Sequence, residues 1–148
     1  MLISTGASFE KEILEVVSIM KKGTASFVLM HCVSSYPCEV DNINLSRLKW
    51  LQIFHNKIGF SDHTKSTLTP SVATALGSSV IEKHFTSDNN LAGRDNKFAL
   101  NPEQFSEMTK NIKLTLKMLK YLGNSAQESE HDIIDIYRGR WGNDDYKK

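Results

Sequence analysis

Two stretches, Gly59-Phe60-Ser61-Asp62-His63-Thr64 and Val80-Ile81-Glu82-Lys83-His84-Phe85-Thr86, decide the fold. Each is a short apolar run that ends in polar, ligand-capable side chains, which is how strands of a parallel α/β protein deliver chemistry at their carboxyl ends. A strand alternates its side chains between two faces, so Ser61 and His63 share one face, and Glu82 and His84 share one face of the next strand. If the strands are neighbours, both imidazoles and a carboxylate converge. That is a divalent-metal site in outline, with positions left for water and substrate. Asp62 alternates away from the imidazoles, which predicts supporting or helix-start hydrogen bonds rather than metal contact. Lys83 also alternates away, which predicts a packed stem with a solvated head.

Working outward, the same strand-then-helix rhythm fills the chain. Leu2-Ile3 is a scrap of strand leading into Ser4-Thr5-Gly6, and Ser8 is placed to cap a helix carrying Phe9, Ile13, Val16, Val17 and Met20, stopped at Gly23. Ser26 to Val33 reads as a near-continuous apolar strand of the kind buried on both faces. Its polar end runs from His31 to Tyr36 and is closed by Pro37. A second helix is predicted over 43–55, with Leu45, Leu48, Leu51 and Phe54 in one stripe. Lys57 to Ser61 is the third strand, and Thr69-Pro70 opens a short helix that Gly77 ends. Ser79 to Phe85 is the fourth. Residues 87–97 form a polar loop, and Asn101-Pro102 with Gln104 starts the longest helix, bearing Phe105, Met108, Ile112, Leu116 and Leu119 as far as Gly123. From 124 to 148 the apolar rhythm is lost. Ile133, Ile134 and Ile136 suffice for one helical turn of a loosely held tail.

Composition bounds the partners. The chain has 148 residues, 40% hydrophobic and 24% charged, which fits one globular domain. A formal charge of +1, from 18 basic and 17 acidic residues, argues against a nucleic-acid groove or an anionic membrane surface as main partner. No apolar run approaches the roughly 20 residues needed to span a bilayer, and Met1-Leu2-Ile3-Ser4 lacks the pattern of a signal peptide. The expectation is a cytoplasmic location. Cys32 and Cys38 match neither a zinc knuckle nor a redox pair, so free thiols are expected.

Four strand-helix alternations imply a parallel sheet, whose strands end on one side. Ser4, Ser34, Tyr36, Ser61, His63, Glu82 and His84 should therefore line a single rim. Parity sets His31 behind that rim in a packing role, while His55, His131 and Arg138-Gly139-Arg140-Trp141 are expected to be solvated.

Five ordered motifs then resemble a known family. Ser4-Thr5-Gly6, His31-Cys32-Val33-Ser34-Ser35-Tyr36-Pro37, the two opening stretches, and Gly93-Arg94-Asp95 are similar, in order and spacing over about residues 1–122, to the signatures of N-acetylneuraminate (sialic acid) synthases. The resemblance implies a (β/α)₈ barrel of the TIM type, followed in the family by a small antifreeze-like domain. It also implies condensation of phosphoenolpyruvate with N-acetylmannosamine or a related sugar, with release of phosphate. Enzymes making pseudaminic, legionaminic or spore-coat sugars share these motifs, and the resemblance does not choose among them. By it His63 and His84 would be metal ligands for Mn²⁺ or Mg²⁺, with Glu82 the third catalytic residue beside the metal and its water. Ser4, Ser34 and Ser61 would contact phosphoenolpyruvate, Tyr36 the substrate, and Asp95 the hydroxyls of the N-acetylated hexosamine.

The chain also departs from that family. Ser34 stands where some members have Asn, and Arg94 where Pro is usual. Residues 124–148 do not resemble the antifreeze-like domain, and the family's first four strands, with their lysines, have no counterpart. A closed barrel takes about 250 residues, so four units correspond to its second half, over residues 1–123. Half a barrel leaves two strand edges and one sheet face uncovered. A partner chain supplying the first half, or a homodimer, would close them; an inactive fragment, or a module that only binds metal or sugar phosphate, is the reading of another class.

Overall fold

The computed structural model describes residues 1–138. Four parallel strands, β1 (Leu2–Ser4), β2 (Val28–His31), β3 (Ile58–Asp62) and β4 (Val80–Lys83), lie side by side in chain order. Helices α1 (Glu10–Lys22), α2 (Arg47–Phe54), α3 (Thr69–Ala75) and α4 (Pro102–Met118) follow them in turn, and α5 (His131–Tyr137) comes last. Sequential parallel strands, each followed by a helix, make a partial (β/α)₈ barrel with half its strand count. The sequence-derived fold class is therefore observed.

The sheet divides its two faces sharply. On the helix side Leu29, Ile58 and Phe60 pack with Ile13 and Val17 of α1, Leu48 and Leu51 of α2, and Ala73 of α3, all buried. The other face carries Leu2, Ser4, Met30, Gly59, Ser61 and Glu82 in register across the strands. Met30 lies over Gly59, where a Cβ would collide with its sulfur and stand 2.9 Å from the Val80 carbonyl. Glycine is what allows that approach. No strand flanks β1 or β4 on the outer side among the described residues, and Leu2 is 53% exposed.

Local chemistry shifts several element boundaries. The Glu12 carboxylate accepts from the Phe9 N–H at 2.7 Å, so Phe9 is the cap of α1, while the Ser8 hydroxyl donates to the Gly6 carbonyl instead. The helix predicted over 43–55 begins only at Arg47, after a 3₁₀ turn (Val40–Asn42), because Asn44 takes a left-handed φ of 47° that no α-helix admits. Thr69 does not cap α3; its hydroxyl goes to Asp62, and Leu68 holds the cap position. Gly77, with φ 97°, follows that helix as expected. Asn101 and Gln104 exchange the reciprocal bonds of a capping box at 3.0 and 3.1 Å, but α4 stops at Met118, short of Gly123. Strand β4 stops at Lys83 rather than Phe85, which instead bridges to Leu100. Strand β2 is likewise confined to Val28–His31, since Ser35 turns back to the Val33 carbonyl.

His31 takes the packing role expected of it. It is fully buried, stacks on Phe60, and sets Nε2 2.7 Å from the Ile43 carbonyl, while Nδ1 has no partner. Burial pulls its pKa below the ordinary value, against the backbone bond that raises it. His55 corrects the expectation of solvation: it is half-buried and stacked on Phe27, ring centroids 3.9 Å apart. His131 is exposed. Beyond 123, α5 forms over the three isoleucines and leaves Ile133 and Ile136 exposed. Gly139, Arg140 and Trp141, with the remainder of the expected tail to 148, lie outside the described residues.

Replacing Gly59 by Ala should cost about 1–3 kcal/mol, read as a lowered urea midpoint at unchanged m-value. A second outcome concerns acid. The unfolded His31 ring binds a proton near pH 6.5 that the folded ring refuses, so stability is whole above that value and falls below it, by up to about 1.4 kcal/mol per pH unit. Urea titrations from about pH 7 to about pH 5 should show that slope in the parent chain and a flatter one in His31→Gln.

Candidate active site

Where β3 and β4 end, the register sets Ser61 directly opposite Glu82. The Ser61 hydroxyl gives its proton to Glu82 Oε1 at 2.5 Å. His63, two residues on and on the same face, is buried, and its Nδ1 is 2.7 Å from the Val33 carbonyl. A carbonyl only accepts, so Nδ1 carries the hydrogen and Nε2 of the neutral ring keeps a lone pair. Ser61 Oγ lies 3.3 Å from that Nε2, but its single proton is already committed to Glu82. Nε2 is thus left open to a cation or a proton.

His84 brings the second imidazole. Its ring centroid is 5.4 Å from that of His63, the planes inclined at 69°, and its Nδ1 is 3.7 Å from Asp95 Oδ2. Tyr36, beside a cis bond to Pro37, sets its ring 4.3 Å from His63 and 6.0 Å from His84. Phe98 stands 5.1 Å from His84 and 6.2 Å from Tyr36. Two aromatic rings therefore flank the imidazole pair beside a cavity of about 450 Å³ lined by Tyr36, His63, Glu82, His84, Arg94 and Asp95.

Of the residues singled out in the sequence, Tyr36, His63, Glu82, His84 and Asp95 meet at this cavity, with Ser61 behind Glu82. Ser4 and Ser34 do not line it. They gather instead around Gly6 at the neighbouring strand ends, where Ser4 Oγ is 3.0 Å from Cys32 Sγ. Phe98 went unnoticed; its one signal is an aromatic closing the polar loop. Arg94 marks a departure from the family pattern, yet it lines the cavity. Both cysteines are free and buried, and burial pushes the Cys38 thiol pKa up, with the Asp62 charge adding to it.

Behind the imidazoles the expectation for Lys83 is overturned. Its head is not solvated: the side chain is 1% exposed and Nζ is 2.7 Å from Asp62 Oδ2. Nζ also donates to the Thr64 carbonyl at 2.5 Å. Burial lowers the Lys83 pKa, and the Asp62 charge opposes that shift. Asp62 makes the helix-start bonds expected of it, accepting from the Thr64 N–H at 2.8 Å and the Thr69 hydroxyl at 2.5 Å. Asp62 and Thr64 enclose the lysine head, with Thr69 at the start of α3 bonded to Asp62, and sequence parity says nothing of such an enclosure.

Among the described residues no three His, Cys, Asp or Glu side chains close on one point as a complete metal cluster. The open Nε2 of His63 and the adjacent His84 ring nevertheless form a donor pair that fits a divalent ion whose other positions are filled by water and substrate. No helix of the described residues is long and apolar enough to cross a membrane.

Residues 1–124 match the NeuB family. The chain is 44% identical over 135 residues to an uncharacterized protein of Methanocaldococcus jannaschii, covering 90% of this chain and 40% of that protein. It is 34% identical over 141 residues to the N,N'-diacetyllegionaminic acid synthase of Campylobacter jejuni, covering 93% of this chain and 42% of that enzyme. The crystal structure of an N-acetylneuraminic acid (sialic acid) synthetase from Leptospira borgpetersenii superimposes with a TM-score of 0.83 at 35% identity, over 95% of this chain and 49% of that one. The chain spans less than half the length of each of these three proteins.

Because the Val33 carbonyl fixes the His63 tautomer, Ser61→Ala should leave the ring hydrogen on Nδ1. Imidazole ¹⁵N shifts read this directly. Loss of stability should stay within about 1.5 kcal/mol, since the Glu82 left behind is exposed.

Proposed function

The chain belongs to the NeuB family, and from that premise we propose that it forms one half of the rim of a nonulosonic acid synthase. Such an enzyme joins C3 of phosphoenolpyruvate to the aldehyde carbon of N-acetylmannosamine or a related N-acetylated hexosamine, adds water and releases phosphate. The two enzymes named above are synthases of this class. The observation that carries the reading to this chain is the meeting of His63, His84 and Glu82 at one cavity.

His63, through Nε2, and His84 are the residues that would hold a divalent ion. Two imidazoles favour Mn²⁺ over Mg²⁺, which prefers oxygen donors and keeps its water. When bound, such an ion polarises the sugar's carbonyl and orients a water. Glu82, held in place by the Ser61 hydroxyl, accepts a proton from the water that adds to C2 of the enolpyruvyl unit. Asp95 offers its carboxylate to the acceptor's hydroxyls at the mouth of the cavity. The Ser4 and Ser34 hydroxyls suit phosphate or carboxylate oxygens without adding charge, whereas the Ser61 proton is held by Glu82. Arg94 is the one Lys or Arg lining this cavity among the described residues, too little for the triply acidic enolpyruvyl substrate, and the open edges of β1 and β4 favour a closing partner that brings further cations. A chain carrying the first four units, or a second copy of this one as a homodimer, fills that place.

Purified chain should bind Mn²⁺, and His63→Ala and His84→Ala should each weaken binding by more than about 100-fold, followed by water-proton relaxation. Undiminished binding by His63→Ala sinks the reading. Phosphate release from phosphoenolpyruvate with N-acetylmannosamine, measured with and without a chain supplying the first half, separates a synthase from a module that only binds.

A further inference from the structure

Hydrogen-bonded pairing between β3 and β4 ends at Asp62 and Lys83, yet the next residue of each strand is an imidazole of the site. Whatever holds His63 and His84 at their separation must act past the end of the ladder. Backbone bonds do part of this: Cys38 N–H reaches the His63 carbonyl and Leu100 N–H the His84 carbonyl, both at 2.9 Å. Neither bond ties one imidazole to the other.

Lys83 supplies that tie from the helix side. Its Nζ bonds Asp62 Oδ2 at 2.7 Å and the Thr64 carbonyl at 2.5 Å. It therefore grips the residues on both sides of His63 while being itself the residue before His84. Asp62 is held in turn by the Thr64 N–H and the Thr69 hydroxyl, so each charge has its hydrogen bonds and the two side chains are 1% and 0% exposed. A buried ion pair adds little net stability over apolar residues of the same volume. What it adds here is a fixed distance. We propose that Lys83 and Asp62 are positioning residues that set the approach of His63 to His84 and so the affinity of the pair for a divalent cation, a role that rests on the reading of these two histidines as metal ligands.

The test uses the full chain with Asp62→Asn and Lys83→Met combined, which leaves no unpaired buried charge, and separately Lys83→Arg, which keeps the charge but replaces a compact ammonium by a wider planar fork. Two quantities are read: Mn²⁺ affinity by water-proton relaxation, and the metal-free imidazole ¹⁵N signals of His63 and His84. The double variant should fold by circular dichroism, bind Mn²⁺ about 10- to 100-fold more weakly, and lose the single Nδ1–H state of His63 while His31 keeps its own signal. Lys83→Arg should show a smaller change in the same direction, and it decides the matter if the double variant does not fold. Parent-like affinity with unmoved His63 and His84 signals in a folded variant would overturn the role. Should the parent chain bind no Mn²⁺, the metal reading fails by itself, and the imidazole signals still judge positioning: moved signals uphold it, unmoved signals end it.

Discussion

The register between β3 and β4 is the constraint on which the rest of the molecule depends. By setting Ser61 against Glu82 and Asp62 against Lys83, it assigns two successive rungs to opposite faces of the sheet. The open face receives a hydroxyl bonded to a carboxylate, then two imidazoles. The helix face receives a buried ion pair roofed by the start of α3. A slip of one residue would exchange these sets, sending charges into the cavity and histidines into the core. Gly59 serves the adjoining β2–β3 register, since only a residue without a side chain lets Met30 lie across that rung.

Much of this was legible in the chain, because period-two alternation is a strong local signal. Sharing of a face by Ser61 with His63, and by Glu82 with His84, followed from spacing alone, as did the buried position of His31. The four strand-helix units and their parallel order followed from apolar runs and capping residues. What could not be read depends on long-range neighbours. The burial of Lys83 leaves no local mark because its partners, Asp62 and Thr64, belong to another strand-helix unit. The cover over His55 escapes the sequence because it comes from Phe27, at the far end of the same β2–α2 unit. Asn44 broke a helix whose apolar stripe looked continuous, since a left-handed backbone leaves no mark in hydrophobic spacing. Ser4 and Ser34 sit on the expected side of the sheet yet gather at Gly6, a distinction of a few ångströms that strand parity does not carry.

The two faces also differ in how complete they are. Helices cover one side with a close-packed core, whereas the other leaves Leu2 and Glu82 exposed and both outer strands without neighbours among the described residues. A parallel sheet in this condition is a template for further strands. The chain's span of less than half its relatives' length matches the half-count of strands.

The loop carrying Arg94 and Asp95 is pinned by its own amides. Asn89 Nδ2 donates to the Asn96 and Ala99 carbonyls, and Asn96 Nδ2 donates to those of Leu91 and Ala92. Neither asparagine lines the cavity, and every one of these stitches ends on a backbone carbonyl, so none of them uses the side chains of Arg94 or Asp95. The frame of the loop is thereby kept apart from the two side chains it presents at the mouth of the cavity.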